Sequence, residues 1–342
     1  MTNLQEIKTL EAGISVILCT YNGADKLPQT IKALAQQQVP PEIPWEIIFI
    51  DNNSSDNSSE IATASWEALS EKLDVPFISL SETIPGKYYA LNKGLRNAKF
   101  SYFIIVDDDN WLNPNYVAQA FKSIDGRPEI GAIGSRTEAA FEADNPRDPV
   151  WLNKKPERFA IGEQGSDGDV TYRKHLWGAG LVSRTELYLR IYDKYPSFLI
   201  DYSTKNILVV EDTEYCLRLI LRGFRLYYAS ELKLFHFVPN ERLTKEYWTK
   251  LNSNIDRSFE VIDVYYMAVK VYSDKYKNPL LLLRLKLLTH LRFRTRTGIK
   301  KQRQRILLGL LFPESAYNTP LIDAVRRFIQ DDELPRNTTT ME

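Results

Sequence analysis

The stretch Tyr102-Phe-Ile-Ile-Val-Asp-Asp-Asp109 decides the fold. Its five leading residues are apolar and too few for a stable lone helix, so they predict a buried strand with three carboxylates at its end. Three adjacent acids repel one another unless something cationic neutralises them, and a divalent metal is the natural partner. The carboxyl end of a parallel strand is also where open α/β sheets bind ligands. The plainer reading is an acidic turn facing water.

Upstream of that strand, strand and helix signals alternate. Residues 14–19 predict a first strand, with Thr20-Tyr21-Asn22-Gly23 as the turn behind it. Leu27, Ile31, Leu34 and Ala35 recur at helical spacing, Pro28 is tolerated in the first turn, and Pro40-Pro41 ends the helix. Residues 45–50 predict a second strand, and residues 51–56 a polar turn rich in helix N-cap residues. A helix through Ile61, Ala64 and Leu69 leads to a third strand at 75–80. Residues 87–98 read as a helix with Leu91, Leu95 and Ala98 on one face and Gly94 as its weak spot.

Such alternation calls for a parallel sheet flanked by helices. Three polar clusters then share one sheet edge: Thr20-Tyr21-Asn22, Asp51-Asn52 and Asp107-Asp108-Asp109. No Gly-x-Gly-x-x-Gly follows the first strand and no Gly-x4-Gly-Lys-Ser/Thr occurs, which argues against a dinucleotide fold and a P-loop.

The bulk composition narrows the class. At 342 residues the chain is long for one domain and suggests about two units. Forty-four basic and forty-four acidic side chains cancel, so no nucleic-acid partner is expected. Hydrophobic content of 44% with 12% aromatic supports a packed core rather than disorder. Cys19 and Cys216 have no metal spacing and read as reduced core residues, in keeping with a cytoplasmic location. Residues 1–13 lack the apolar run of a signal peptide, and no window approaches a membrane span.

Four motifs in register carry a family resemblance: residues 14–22 (ISVILCTYN), 50–56 (IDNNSSD), 90–95 (ALNKGL) and 106–109 (VDDD). In order and spacing they resemble the family 2 glycosyltransferases. The resemblance covers roughly residues 13–240. It implies an α/β GT-A fold, Rossmann-like, with a mostly parallel central sheet flanked by helices and, in this chain, a C-terminal helical extension. It divides the chain into a catalytic domain at 1–242, a helical region at 243–335 and a disordered tail at 336–342. Within the catalytic domain, 13–110 would bind the nucleotide sugar and 111–242 the acceptor. The implied reaction moves a sugar from a nucleotide donor, of the UDP type, to a glycan or lipid-linked acceptor with inversion at the anomeric carbon. Assembly of a surface polysaccharide is the implied setting.

The resemblance also implies site residues. Thr20, Tyr21 and Asn22 would line the nucleotide, and Asp51 would accept a hydrogen bond from the base; as a residue alone, Asp51 also reads as a helix N-cap. Lys87 and Asn92 would touch phosphate or sugar, although Lys87 also reads as a solvated lysine. Asp107 and Asp109 form an Asp-x-Asp pair that, on extended chain, points to one side. Asp107 would contact ribose or metal, Asp109 would ligate the metal, and Asp108 belongs with the nucleotide-sugar contacts. All-oxygen ligation suits Mg²⁺ or Mn²⁺.

Asp212 is the implied general base, with Glu211 second; as acids at a helix start they are favoured by the dipole anyway. Trp177 and Gly178 would pack under sugar and acceptor, or Trp177 is simply buried. His236 stands where some relatives place a metal or diphosphate contact, and it equally reads as a core histidine of an apolar strand. Residues 142–174 are polar with a Gly-rich stretch, read as a lid or as disorder.

Past residue 243 the alternation stops. Arg284, Lys286, Arg292, Arg294, Arg296, Lys300, Lys301, Arg303 and Arg305 are interleaved with leucine and phenylalanine, with no acid between them. Residues 280–305 then read either as an amphipathic helix in peripheral contact with the inner face of an anionic membrane, or as a solvated face packed on the chain's own core or a second subunit. Two other functional classes remain. A sugar-phosphate nucleotidyltransferase shares the sheet but opens with a Gly-rich basic loop that this chain lacks, and a non-catalytic nucleotide-sugar-binding protein would keep the fold alone.

Overall fold

The computed structural model describes residues 10–69, 73–142, 152, 154–201, 206–207, 210–272, 278–293 and 297–338. The chain divides into two compact units that interleave in sequence: residues 1–170, 176–190 and 226–244 form one, and 171–175, 191–225 and 245–342 the other.

The first unit is built on a nine-stranded sheet. Strands β1 (Glu11–Thr20), β2 (Trp45–Asp51), β3 (Phe77–Ser81) and β4 (Phe100–Asp107) form its parallel half, in the order β3-β2-β1-β4. Eight residues of β1 and six of β2 are buried, as strands covered on both faces require. Helices α1 (Leu27–Ala35), α2 (Ser58–Leu69) and α4 (Tyr116–Ile124) pack Leu27, Ile31, Ala62, Trp66, Val117 and Ile124 against Ile14, Val16 and Leu18 on one face. Helix α3 (Lys87–Asn97) covers the other face. The weak spot at Gly94 has a packing reason: a Cβ there would lie 2.7 Å from Ile50 and 2.8 Å from Ile17.

The remaining strands are β5 (Asn110–Leu112), β6 (Ile130–Phe141), β7 (Gly168–Asp169), β8 (Val182–Arg184) and β11 (Arg225–Val238). They extend the order as β4-β8-β6-β11-β5, with β7 also on β11. Their pairings β4–β8, β8–β6, β11–β5 and β11–β7 are antiparallel. Strand β11 runs nine residues past the expected strand near 225–229, and that extra length reaches the site.

Residues 162–169 are not the loose lid or disordered stretch that their glycines suggest. Thr137 and Gly162 exchange backbone hydrogen bonds of 3.1 and 2.8 Å, and 168–169 form β7. Gln164, fully buried, donates to Ser135 O and accepts from the Trp177 N–H. Of the rest of the 142–174 stretch, 143–151 and 153 lie outside the described residues.

The second unit is mainly helical: α6 (Glu211–Leu221), α7 (Lys245–Val271), α8 (Pro279–Phe293), α9 (Gly298–Leu311) and α10 (Pro320–Gln330), with a short ladder of β9 (Ile200–Asp201) and β10 (Asn206–Ile207). Helix α5 (Thr185–Lys194) has residues in both units. Arg336 and Asn337, at the start of the expected loose tail, are tied down. Arg336 Nη2 donates to Ile329 O at 2.7 Å, and the Asn337 N–H donates to Arg222 O at 2.9 Å. Residues 339–342 lie outside the described residues.

Candidate functional site

The triple aspartate does not run on as extended chain. Asp107 closes β4, Asp108 and Asp109 make a turn, and β5 starts at Asn110. The same-side geometry expected of an extended Asp-x-Asp is therefore replaced by a bend, because β5 must turn back to pair with β11. Asn110 braces that bend: its Oδ1 accepts from the Asp107 N–H at 3.2 Å, and its Nδ2 donates to Asp109 Oδ1 at 2.9 Å.

Each acid has its own cation. Lys87, the first residue of α3, brings Nζ to 2.6 and 2.8 Å from the two Asp107 oxygens. Asp108 takes Lys26 at 2.7 Å and the Thr20 hydroxyl at 2.7 Å, while its carbonyl accepts from the Thr30 hydroxyl at 2.6 Å. Asp109 takes Arg242 Nη1 at 2.8 Å, with His236 Nε2 at 3.6 Å. Lys87 is thus held in an ion pair at the acidic turn rather than free in solvent.

Asp108 has a structural role. It is buried among Thr20, Thr30 and Lys26, and a Cβ on Gly23 would lie 2.3 Å from its Oδ2. Burial and the neighbouring Asp109 raise its pKa, against the opposing pull of Lys26. Thr20 is likewise engaged inward. Burial would raise Asp109 as well, but His236 and Arg242 outweigh it and hold this carboxyl well below the usual carboxylate range. Burial would lower His236, yet Asp109 prevails and its pKa is raised.

The His236 ring is oriented by the backbone: Nδ1 lies 2.8 Å from Phe159 O. A carbonyl only accepts, so Nδ1 carries a proton and Nε2 faces Asp109 and Arg242. This is the arrangement that presents a lone pair to a metal when the ring is neutral. Two carboxylates and an imidazole suit Mn²⁺ or Mg²⁺ in donor chemistry. Among the described residues, however, no three His, Cys, Asp or Glu side chains form a ready cluster.

The nucleotide-side residues are tied to one another. Asn22, in the left-handed region at φ 51°, accepts from the Ser55 N–H at 2.8 Å, and its own N–H donates to Ser54 Oγ at 2.9 Å. Asp51 accepts from the Ser54 N–H at 2.9 Å and the Ser59 hydroxyl at 2.8 Å. The N-cap reading is not realised, because neither donor is a backbone N–H of α2; Asp51 closes the turn before that helix, with carboxylate lone pairs to spare. Asn52 joins β2 to the loop before α3, donating to Ile84 O at 2.7 Å and accepting from the Gly86 N–H at 2.7 Å. Tyr21 is left 61% exposed on this edge. Asn92 holds a buried Oδ1 that has no hydrogen-bond partner among the described residues. Trp177 is buried at 7% exposure, and Gly178 is half-buried beside it.

Sequence reasoning missed Lys26, Asn110 and Arg242. The first two lie inside or beside recognised motifs and were visible as a cation and an amide next to acids. Arg242 sits in a 3-10 turn (Asn240–Leu243) 133 residues from Asp109 and gave no signal.

In the second unit, Glu211 and Asp212 open α6 behind Val210, whose φ of 74° is strained for a β-branched residue. Both acids are half-buried, and Asp212 Oδ1 accepts from the Thr213 N–H at 2.6 Å. Glu214, one turn on, is fully buried and belongs to the core of this unit. His175 feels Asp212 electrostatically, but burial and Arg173 dominate and lower its pKa.

Residues 15–173 match the family model described as Glycosyl transferase family 2. The poly-beta-1,6-N-acetyl-D-glucosamine synthase of Staphylococcus aureus (strain MSSA476) is 26% identical over 230 residues, 66% of this chain and 50% of that protein. The chain thus spans about half the length of that relative. Two solved structures share the fold. The mannosyltransferase PcManGT from Pyrobaculum calidifontis, in complex with GDP-Man and Mn²⁺, superposes with a TM-score of 0.53 at 16% identity, covering 96% of this chain and 92% of that one. S. aureus TarS 1–349 in complex with UDP gives 0.51 at 18% identity, covering 93% and 90%. Residues 15–173, which hold the sheet edge and the acidic turn, thus match family 2 of the glycosyltransferases, and the chain has the GT-A fold of the two solved structures.

Proposed function

We propose that the chain transfers a sugar from a UDP-sugar to a glycan or lipid-linked acceptor with inversion, in assembly of a surface polysaccharide. The observation that carries this reading is the acidic turn at the carboxyl edge of the parallel strands, where Asp107 and Asp109 hold Lys87 and Arg242 as exchangeable partners. An arriving diphosphate competes for both cations, and its own charge takes over their neutralisation. Asp51 keeps lone pairs for the N3–H of uracil, and Tyr21 offers an exposed ring on the same edge.

Asp109 and His236 would hold a divalent ion, with Asp107 and diphosphate oxygens completing its shell; such ions commonly use few protein ligands and the substrate's phosphates. When bound, the ion supplies charge neutralisation for the departing nucleoside diphosphate. Asp212 takes the proton of the acceptor hydroxyl as that oxygen bonds to the anomeric carbon, and the bond to the diphosphate breaks with its electron pair leaving on phosphate oxygen. Glu211 is second choice for this base. The reading extends to a cytoplasmic enzyme held at the inner membrane face through residues 280–305.

A panel of nucleotide sugars with Mn²⁺ tests it, scoring thermal stabilisation and release of free nucleoside diphosphate. Stabilisation and slow turnover with one UDP-sugar, both lost in Asp109→Ala, is the expected result. No binding to any nucleotide sugar, with or without metal, overturns it.

A further inference from the structure

Helix α8 carries leucine on its solvent side. Leu280, Leu283, Leu287 and Leu291 are 76%, 54%, 57% and 67% exposed, whereas Leu285 and Thr289 are buried. At about 100° per residue the four exposed leucines fall within an arc of roughly 80°, and Leu285 and Thr289 lie opposite. The helix thus packs on its own unit with one side and presents a second apolar stripe to solvent. Ile299, at the start of α9, is a further exposed aliphatic at 67%. An apolar stripe of this length on a folded surface marks a docking face.

The charge around it selects the occupant. From residue 275 to residue 313 the sequence contains no Asp or Glu. Some of the cations here are turned to internal partners: Arg303 makes a two-pronged pair with Asp263 at 2.8 and 3.0 Å, and Lys286 and Lys301 lie over the rings of Phe312 and Phe293. Arg284, Lys300 and Arg305 are exposed and have no acidic partner among the described residues. Arg284 lies about 20° beyond the Leu291 edge of that arc. A second copy of the chain would set these cations against themselves, so self-pairing is electrostatically opposed. An anionic bilayer offers both an apolar layer for the leucines and a plane of negative charge for the cations. None of the described helices is long and apolar enough to cross a membrane, so the helix would lie in the surface plane.

We infer that the Leu280–Leu283–Leu287–Leu291 face of α8, with Arg284 at its edge and Lys300 and Arg305 exposed on the following helix, docks on an anionic phospholipid surface. This deepens the membrane-proximal part of the reading above and is independent of the donor site. The leucines supply the insertion and the cations the lipid selectivity.

The test is co-sedimentation of the full chain with vesicles of phosphatidylcholine alone and with about 30 mol% phosphatidylserine, at low and high salt. Wild type is compared with the triple variant Leu280→Ser, Leu287→Ser, Leu291→Ser, and with Arg284→Gln plus Lys300→Gln. The expected result is binding to the anionic vesicles only, reduced on the order of tenfold or more in the leucine variant and several-fold in the cation variant. The leucine variant should keep the wild-type melting temperature and its release of nucleoside diphosphate in free solution, since these side chains already face water. Equal binding of the leucine variant overturns the proposal, as does equal binding to neutral vesicles. A wild-type dimer that the leucine variant dissolves overturns it in favour of self-association. Failure of the donor-site reading leaves the vesicle result untouched, because vesicle binding needs no nucleotide sugar.

Discussion

Arg242 Nη1 stands 2.8 Å from Asp109 Oδ2, so the last carboxylate of the acidic turn is neutralised by a side chain from the far end of the unit's sequence. Strand β11 makes this possible. It pairs His236 with Asn110, accepts no break at Phe237, whose N–H donates to Asp109 O at 2.8 Å, and then delivers the 3-10 turn that holds Arg242. A buried acid thereby keeps its charge without metal, and the guanidinium that balances it is a ready partner for a diphosphate.

Replacing that arginine should therefore separate metal from nucleotide. In Arg242→Ala, Mn²⁺ alone is expected to bind more tightly, because Asp109 loses its competitor. Affinity for the nucleoside diphosphate is expected to fall about 10- to 100-fold, the worth of a hydrogen bond to a charged group. Calorimetry with Mn²⁺ and then with UDP reads both; if neither moves, the ion pair serves the fold alone.

Asn92 offers a cleaner split between stability and binding. Its Oδ1 is buried with no partner among the described residues, which costs the folded protein unless a ligand supplies a donor. Asn92→Leu should leave the melting temperature equal or slightly higher while weakening the donor KM by about tenfold. A lower melting temperature with an unchanged KM would show the amide to be a packing residue.

How far the sequence carried is clear from particular positions. The parallel half was legible because β1, β2 and β4 are continuous apolar runs and α1 and α3 repeat at helical spacing, and buried strands and amphipathic helices leave those patterns. The acidic turn was legible as a run, but its bend was not, since the bend comes from β5 pairing with β11 across more than a hundred residues. For the same reason Asp108 looked like a ligand contact when it is a staple to Thr20 and Lys26. Arg242 lies in no periodic pattern, and the side of α8 that meets water depends on which leucines its neighbours leave uncovered.

Asp212→Asn removes the proposed base while keeping size and hydrogen-bonding shape. Transfer should drop by about 10²–10⁴ in kcat with the donor KM unchanged. Glu211→Gln is the control. A larger loss there than in Asp212→Asn would exchange the two roles.

His175 gives a pH dependence of known sign. Burial first and Arg173 second lower its pKa, and Nδ1 lies 3.1 Å from Arg173 O, consistent with a neutral ring. The unfolded chain therefore takes the proton first. The stability tied to neutral His175 is present in full above the unfolded value of about 6.5 and is lost as pH falls through the lower folded value. The melting temperature should fall more between about pH 7 and pH 5 in wild type than in His175→Gln, measured by calorimetry in one buffer series. Asp212→Asn should steepen the fall, because that carboxylate now raises the His175 pKa.

The core of the second unit contains a charge pair that should be sensitive to halving. Arg218 and Glu214 are both fully buried, with Nη2 and Oε1 2.9 Å apart. Glu214 also accepts from the Tyr265 hydroxyl at 2.9 Å and the Phe198 N–H at 3.0 Å. Arg218 donates to Tyr195 O and Pro196 O, and its guanidinium carbon lies 4.6 Å from the Tyr192 ring centre and 4.9 Å from that of Phe198. Burial alone would drive the proton off Arg218, but Glu214 outweighs it and keeps the cation. Glu214→Gln then leaves a buried cation without its counter-charge, at an expected cost of about 3–5 kcal/mol by urea unfolding. Arg218→Met combined with Glu214→Gln should recover much of that loss, because the stranded charge is gone and the methionine still fills the aromatic cage. If the double variant is no more stable than Glu214→Gln alone, the carbonyl contacts of Arg218 rather than its charge hold this core together.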